Sequence, residues 1–242
     1  MTETAKAPVR CGLSGTALKY IACITMLIDH IGASCIEAGI LLPALAAGAA
    51  GCGGIPVSTL LAADRVLRYI GRLAFPIFCF LAVEGFLHTH DVKKYVRRLL
   101  LFGLLSEVPF DLAFFRTPFA PQHQNVYWTL ALGVLAMAGL KRFEKENGLP
   151  GWQGLVWAGG CAALALAAST DYHAIGVLII CTLYLTRADR KRQCLTGALL
   201  FCSSSPRRWP LCWSGSTTGS AARAVRCKKR PFTGSTRCTC WC

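Results

Sequence analysis

The chain has 242 residues, of which 54% are hydrophobic and only 16% charged, and its mean hydropathy is +0.45. Soluble domains usually carry about 25% charged residues, so this composition excludes an ordinary water-soluble domain. The formal net charge is +14.

Six apolar stretches are candidate membrane spans, because a helix needs roughly 20 mostly apolar residues to cross a bilayer core. A seventh begins near Cys194 and then loses its apolar character, and Gly39–Leu61 is interpreted as a long, interfacial connection rich in Gly, Ala and Pro. We therefore predict an all-α fold, a polytopic integral membrane helical bundle with about six intact transmembrane helices. The six stretches are Ala17–Ile36, Tyr69–His88, Tyr95–Phe115, Asn125–Leu140, Trp152–Ala168 and His173–Leu185.

The connections between these stretches differ in charge. Basic residues cluster in three of them, Lys93–Arg98, Lys141–Lys145 and Arg187–Arg192. The alternate connections, Arg116–Gln124 and Ser169–His173, hold one Arg and no Lys. Because basic loops stay on the cytoplasmic side of a membrane, the sequence predicts a multi-pass protein with a cytoplasmic N-terminus. This topology places Arg65 and Arg68 near the outer face, which the sequence does not explain.

The first span contains two adjacent ionisable residues, Asp29 and His30, and Lys19 lies eleven positions before the histidine. A charged group in hydrocarbon costs at least a few kcal/mol, so such residues are candidates for function. Eleven residues are roughly 16 Å of helix, which keeps Lys19 near the cytoplasmic surface. His30 can titrate near neutrality and suits a general base. The alternative is a packed histidine bonded to another helix.

The second span carries Arg72, Glu84 and His88. Pro76 leaves a carbonyl without its helical partner and favours a kink. Arg72 and Glu84 are twelve residues apart, more than three turns, so each needs a partner on another helix. The alternative is that Arg72 extends to the membrane interface and Glu84 is a structural hydrogen-bonding group.

Further polar residues lie in or beside the later spans. Glu107 and Asp111 are four residues apart and share one helical face, where two carboxylates repel unless a cation or a proton intervenes. Arg72 could supply that cation, or the pair lines a wet cavity. Asn125 opens the fourth span and Asp171–Tyr172 precedes the sixth; helix capping is the alternative to binding at these positions. No residues have the spacing of a metal site.

Composition changes abruptly near Cys202 and divides the chain into segments 1–202 and 203–242. The second segment holds eight Lys or Arg, no Asp or Glu, five Cys and three Trp. A disulfide module would need an oxidising compartment, and a basic nucleic-acid arm is a further interpretation. A zinc site is excluded, because Cys238, Cys240 and Cys242 alternate instead of forming paired CxxC motifs.

A shift of reading frame explains more features of this segment than a disulfide module or a basic nucleic-acid arm does. One base out of frame, every Cys and Trp codon contributes to a codon for Leu, Met or Val, so the segment can encode the rest of the seventh span. We therefore predict an out-of-frame, poorly structured tail over 203–242. The net charge of the remainder is then +6, that is 14 minus 8.

Several segments resemble one protein family, in the same order along the chain. They are LKYIACITMLIDHIG (Leu18–Gly32), RYIGRLAFPIFCFLAVEGFLHT (Arg68–Thr89), KKYVRRLL (Lys93–Leu100), SEVPFDLAF (Ser106–Phe114), QNV (Gln124–Val126) and TDYHAIGVL (Thr170–Leu178). The resemblance is to the TraX family of conjugal-transfer membrane proteins and covers Leu18 to Leu200. Family members typically continue with a YNG segment and a last span containing YPxHL, which the shifted frame can encode. Eight spans are therefore expected in an undamaged relative.

The resemblance implies an acetyltransferase in a bacterial-type cytoplasmic (inner) membrane. Acetyl-CoA would be the co-substrate, a pilin N-terminus or a cell-surface group the acceptor, and membrane lipid the surroundings; no metal and no nucleic acid are expected. His30, with Asp29, would be catalytic, either deprotonating the acceptor amine or hydroxyl or carrying the acetyl group. Acyltransferases of cell-surface sugars have an Arg, ten residues and a His in their first span, where this chain has Lys19. The residues expected to contact substrate or cofactor are Lys19, Arg72, Glu84, His88, Glu107, Asp111, Asn125, Asp171 and Tyr172.

Two alternatives belong to other functional classes, a non-catalytic component of conjugation or pilus assembly and a small-solute transporter. A transporter is expected to show an internal repeat with matching broken helices, and the sequence shows none. An enzyme is expected to require His30 for activity but not for folding.

Overall fold

The computed structural model describes residues 14–120, 123–146 and 148–203, with side chains to Leu200. It consists mainly of successive helices. Its strands β1 (Gly51–Cys52) and β2 (Ile55–Pro56) form a short antiparallel hairpin. The predicted all-α fold class is confirmed, since helices make up most of the structure. The helices are α1 (Gly15–Ile31), π1 (Gly32–Leu41), α2 (Leu42–Ala46), α3 (Val57–Gly71), α4 (Ala74–His88), α5 (Val92–Phe115), α6 (Val126–Arg142), α7 (Trp152–Ala167), α8 (His173–Leu185) and α9 (Arg190–Ser203).

The first three helices, α1, π1 and α2, form one continuous apolar helix, Gly15–Ala46. Ser14 begins it, because its side chain accepts a backbone N–H bond at 3.1 Å. The prediction of a connection over Gly39–Leu61 is wrong, since only residues 47–56 connect α2 to α3. Ala and Leu favour helix, and Pro43 lies in the first turn of α2, where its missing N–H costs little.

The second candidate span covers Val57–His88 and is longer than the predicted Tyr69–His88. It is interrupted between α3 and α4, at Arg72 and Leu73. Pro76 has no N–H to donate to the carbonyl of Arg72 four residues earlier, which accounts for a break at this point. The predicted kink therefore occurs one turn before the proline.

Membrane-crossing length is reached by two helices within the described residues, Gly15–Ala46 and Val57–His88, while α7 and α8 are shorter apolar helices. A helix of 32 residues is roughly 48 Å long, against about 30 Å for a bilayer core. The bounds of α5 to α8 lie within about three residues of the predicted spans, as expected from the uncertainty of helix ends.

The core forms around α6, which packs against α5, α7 and α8, while α1 packs against α3 and α4. Phe86, Met137 and Tyr184 are among the largest fully buried side chains. Large apolar side chains also cover the outside, and Leu105 is 73% exposed, which suits contact with lipid. This helical unit ends at Phe201. The predicted tail 203–242 lies, beyond Ser203, outside the described residues.

Candidate functional site

The two long helices approach each other at their midpoints. His30 and Arg72 are each the sixteenth of 32 residues in their helices. Gly71 lies directly against Asp29, where a Cβ would overlap the carboxylate side chain. Arg72 places its guanidinium 5.8 Å from the centre of the Tyr69 ring. The absence of a side chain at Gly71 therefore permits the close approach of α3 to α1.

Asp29 is paired with an arginine of α3. Nη1 of Arg68 donates to Oδ2 of Asp29 at 2.6 Å, and both side chains are about three-quarters buried. Nε of Arg68 lies 4.0 Å from the Glu37 carboxylate. A buried charge is tolerated when an opposite charge and hydrogen bonds accompany it. This ion pair explains Arg68, whereas Arg65 is exposed.

His30 lies beside this ion pair, and α5 supplies its other neighbours. Its half-buried ring meets Phe110 and Phe114 edge-on, with centroids 6.2 and 5.2 Å away. Nδ1 is buried and makes no hydrogen bond among the described residues, while the Met26 carbonyl one turn earlier interacts with the imidazole ring. A neutral imidazole has a lone pair on one of its two nitrogens, so His30 can accept a proton from a bound molecule.

The loop between α7 and α8 completes this region. The Tyr172 ring stacks on Phe75 with centroids 3.4 Å apart. Burial raises the pKa of Asp171 to about 7, with the Asp29 carboxylate adding to the rise and Arg68 opposing it. These electrostatic effects show that Asp171 lies near the Asp29–Arg68 pair. We call Asp29, His30, Arg68, Asp171 and Tyr172 the central site.

Glu107 and Asp111 face α6 and the loop before it. One oxygen of Glu107 accepts hydrogen bonds from the Asn125 side-chain amide and, at 3.2 Å, from Nε1 of Trp128. One oxygen of Asp111 accepts the backbone N–H of Ala120 at 2.7 Å. Asn125 also caps α6 by accepting a backbone N–H at 3.0 Å. Asn125 therefore makes the helix cap that the sequence offered as the alternative to substrate binding, and it also holds the Glu107 carboxylate.

Glu84 and His88 lie at the opposite end of α4 from the central site. Glu84 pairs with Arg190 of α9 at 2.6 Å. His88 is 78% exposed, and its Nδ1 lies 2.8 Å from the Glu84 carbonyl. Glu84 is twelve residues beyond Arg72, which is roughly 18 Å of helix. Glu84, His88 and the exposed Lys19 therefore do not belong to the central site.

Sequence reasoning did not assign Arg68, Gly71 or Phe75 to a site. An arginine in an apolar helix requires an acidic partner, and Asp29 is the one acidic residue in the predicted first span. That requirement is a signal that could have identified Arg68. The stacking of Phe75 on Tyr172 depends on how α4 and α8 pack and leaves no comparable signal.

The fold and the site together define a class, namely a helical protein with helices long enough to cross a membrane and ionisable groups buried at their midpoints. The family model "TraX protein" matches residues 14–205. The chain therefore belongs to the TraX family. With the two long apolar helices, this membership indicates a membrane protein.

One curated relative shares part of the chain. It is the "Probable fimbrial assembly protein FimC, serogroup H1" of Dichelobacter nodosus, 42% identical over 84 residues. The match covers 29% of this chain and 32% of the relative, so the chain spans about a third of the relative's length. No solved structure matches the chain.

Proposed function

We propose that this protein is an integral-membrane acetyltransferase of the TraX type, which transfers acetyl from acetyl-CoA to an acceptor such as a pilin N-terminus. The observation that supports this most is His30, half-buried at the midpoint of a long helix beside the Asp29–Arg68 ion pair. An ionisable group in this position costs free energy, so its presence argues for chemistry.

The proposed topology is multi-pass, with the N-terminus in the cytoplasm of a bacterial-type inner membrane. Lys93, Lys94, Arg97 and Arg98 are all exposed at the start of α5, and Lys19 is exposed near the start of α1. Exposed cationic side chains raise the local concentration of anions. These residues would attract the phosphates of acetyl-CoA on the cytoplasmic side.

His30 would act as the general base. One imidazole nitrogen accepts a proton from the acceptor amine while the amine nitrogen forms a bond to the thioester carbonyl carbon. The carbon–sulfur bond then breaks, and His30 returns the proton to the departing thiolate. The products are the N-acetylated acceptor and coenzyme A, so atoms and electrons balance. The Asp29–Arg68 pair would hold α1 against α3, so that His30 keeps its position between the helices.

Replacement of His30 by alanine tests the proposal. In a version of this chain with its C-terminal reading frame repaired, His30→Ala should lower acetyl transfer from [14C]acetyl-CoA by about 100-fold or more, the usual contribution of a general base. Membrane insertion should not change, because the ring is only half-buried.

His90→Ala is the matched control, since His90 is an exposed histidine outside the central site. It should retain full transfer and full insertion. Undiminished transfer in His30→Ala would remove His30 from the mechanism.

A non-catalytic role in pilus assembly is the second candidate, and the similarity to the fimbrial assembly protein favours it. In that case neither the parent nor His30→Ala would transfer acetyl, and both would support assembly equally. Pilus formation measured beside acetyl transfer separates the two functions.

A further inference from the structure

Four basic residues begin α5, and three of them have no acidic partner. Lys93, Lys94, Arg97 and Arg98 are all exposed. Nζ of Lys94 lies 3.7 Å from the Asp91 carboxylate. For the other three, no carboxylate of the described residues lies within ion-pair distance. The start of α5 therefore carries positive charge that no described residue neutralises.

The same face of α5 is apolar further along the helix. Residues three and four apart share one face of a helix. At these spacings the basic residues are followed by leucine and valine side chains that are between 49% and 73% exposed, namely Leu101, Leu104, Leu105, Val108 and Leu112. One face of α5 is thus cationic in its first two turns and apolar beyond them.

The length of α5 places these cations at the boundary of the hydrocarbon. From Leu99 to its last residue, Phe115, the helix rises roughly 26 Å, close to the thickness of about 30 Å of a bilayer core. Arg97 and Arg98 directly precede Leu99. In the proposed multi-pass topology they therefore lie at the level of the lipid headgroups.

Contacts at the end of α4 bring this cationic start beside a second one. A Cβ at Gly85 would lie 2.8 Å from Oη of Tyr95, so the first turns of α5 contact the end of α4. Glu84, the neighbour of Gly85, pairs with Arg190 at the start of α9 at 2.6 Å. The starts of α5 and α9 thus meet at the same end of α4, which agrees with the proposed placement of both on the cytoplasmic side.

We propose that the start of α5 binds the headgroup phosphate of an anionic phospholipid of the cytoplasmic leaflet, whose acyl chains lie along Leu101 and Leu105. Clusters of about four to eight Lys and Arg directly cytoplasmic of a transmembrane helix attract anionic lipids. Arginine also binds phosphate through two N–H groups at once. The positive-inside rule accounts for cations on this side of the membrane, but not for their placement on the face of α5 that is exposed and apolar.

Lipid binding at α5 depends on the proposed topology and not on acetyl transfer. In the proposed function the same cations attract the phosphates of acetyl-CoA, so a lipid phosphate and a soluble phosphate are rival ligands for this face. The exposed apolar side chains favour the lipid, because coenzyme A has no long acyl chains to cover them.

Binding of two lipids to the full 242-residue chain in a neutral detergent tests the site, with native mass spectrometry as the measurement of bound lipid. We expect dioleoylphosphatidylglycerol, which carries one negative charge, to bind more than about tenfold more tightly than dioleoylphosphatidylcholine, which has the same acyl chains and no net charge. Arg97→Gln combined with Arg98→Gln should lower this preference by about tenfold or more, since each cation near the surface contributes about fivefold. Binding of phosphatidylcholine should not change.

Arg142→Gln combined with Lys145→Gln is the matched control. It removes the same charge from exposed residues at the end of α6 and in the loop after it. All of α6 is described, and none of its large apolar side chains is exposed. The control should keep the parent's preference for phosphatidylglycerol. Circular dichroism shows whether each variant is folded, and if the double variant of α5 is not, Lys93→Gln serves instead and should lower the preference by about fivefold.

Three results would overturn the site. They are equal binding of the two lipids by the parent, an equal loss of preference in the two double variants, and displacement of phosphatidylglycerol by an equimolar amount of coenzyme A. The second result would show a general attraction of anions, and the third would assign the face to soluble phosphates. The proposed function can fail separately. If phosphatidylglycerol binds at α5 as expected while the chain with its reading frame repaired transfers no acetyl, the lipid site stands and the acetyltransferase does not.

Discussion

Asp171 is one residue through which the stability of the central site should respond to pH. Its pKa of about 7 exceeds the ordinary 3.8 because burial and the Asp29 carboxylate favour the neutral acid. Between these two values the folded protein holds a proton that the unfolded chain releases. Stability from this residue is therefore greatest at low pH, falls as the pH rises through this window, and is constant above it.

Asp171→Asn should remove this contribution to the pH dependence, because an amide does not titrate. The gain in melting temperature of the variant over the parent should be larger at about pH 8 than at about pH 5. Asp91→Asn is the control. The N–H of Lys94 lowers the pKa of Asp91, so Asp91 is ionised at both pH values of this experiment. An equal difference between parent and Asp171→Asn at the two pH values would contradict the assignment.

Individual charged residues in the apolar stretches were predictable as candidates, and their partners were not. A charge in hydrocarbon is costly wherever it lies, so Asp29 and Glu84 stand out in the sequence alone. Their partners depend on helix packing, since Arg68 is 39 residues from Asp29 and Arg190 is 106 residues from Glu84. The sequence shows that a charge in an apolar helix needs a partner, but helix packing decides which of several basic residues meets which acid.

At the scale of elements, the contact between α1 and α3 depends on one glycine. A Cβ at Gly71 would overlap Asp29, whereas a Cβ at Gly160 in α7 would meet no atom within 4 Å. Gly71→Ala should therefore destabilise the protein by about 1–3 kcal/mol through overpacking. Gly160→Ala should be neutral or stabilising by up to about 1 kcal/mol, because alanine favours helix.

Thermal unfolding of the two variants side by side measures this difference. In the version of the chain with its reading frame repaired, acetyl transfer should fall in Gly71→Ala, since the displaced Asp29 no longer holds its ion pair beside His30. Equal stability of Gly71→Ala and Gly160→Ala would show that α1 and α3 do not approach each other as closely as described.

The bounds of helices with a uniformly apolar sequence were predicted closely, whereas the bounds of irregular helices were not. The bounds of α8 are those read from the sequence, because polar residues border His173–Leu185 on both sides. The stretch Gly39–Leu61 was misassigned as a connection because Gly and Pro weaken the interior of a helix. Proline is tolerated in the first turn of a helix, which is where Pro43 lies in α2. The π-helix Gly32–Leu41 has no sequence signature that separates it from an α-helix.

At the scale of the whole molecule, we propose that a change of reading frame in the C-terminal segment interrupts the seventh span. The family match ends at residue 205, close to codon 202, where we propose a change of reading frame. In the present frame Arg207 and Arg208 would follow directly in a span, at a cost of several kcal/mol. The proposed shift replaces them with apolar residues.

Restoring one base near codon 202 should give a longer, more stable protein that transfers acetyl, whereas the chain as it stands should be inactive. The nucleotide sequence across codons 195–242 is the direct measurement. If it shows neither a lost nor a gained base, and no apolar frame continues downstream, the proposal is wrong and the basic segment needs another explanation.

The length of the two long helices has a practical consequence for the β1–β2 turn. Helices of roughly 48 Å exceed a bilayer core by about 18 Å in total, so in the proposed topology the turn would lie beyond the hydrocarbon core on the outer face. Gly53 and Gly54 lie in the left-handed region, and a Cβ at either would meet no atom within 4 Å. An epitope inserted between them would then be accessible to antibody on spheroplasts without permeabilisation, and this short turn becomes a handle for purification and for following the protein in its native membrane.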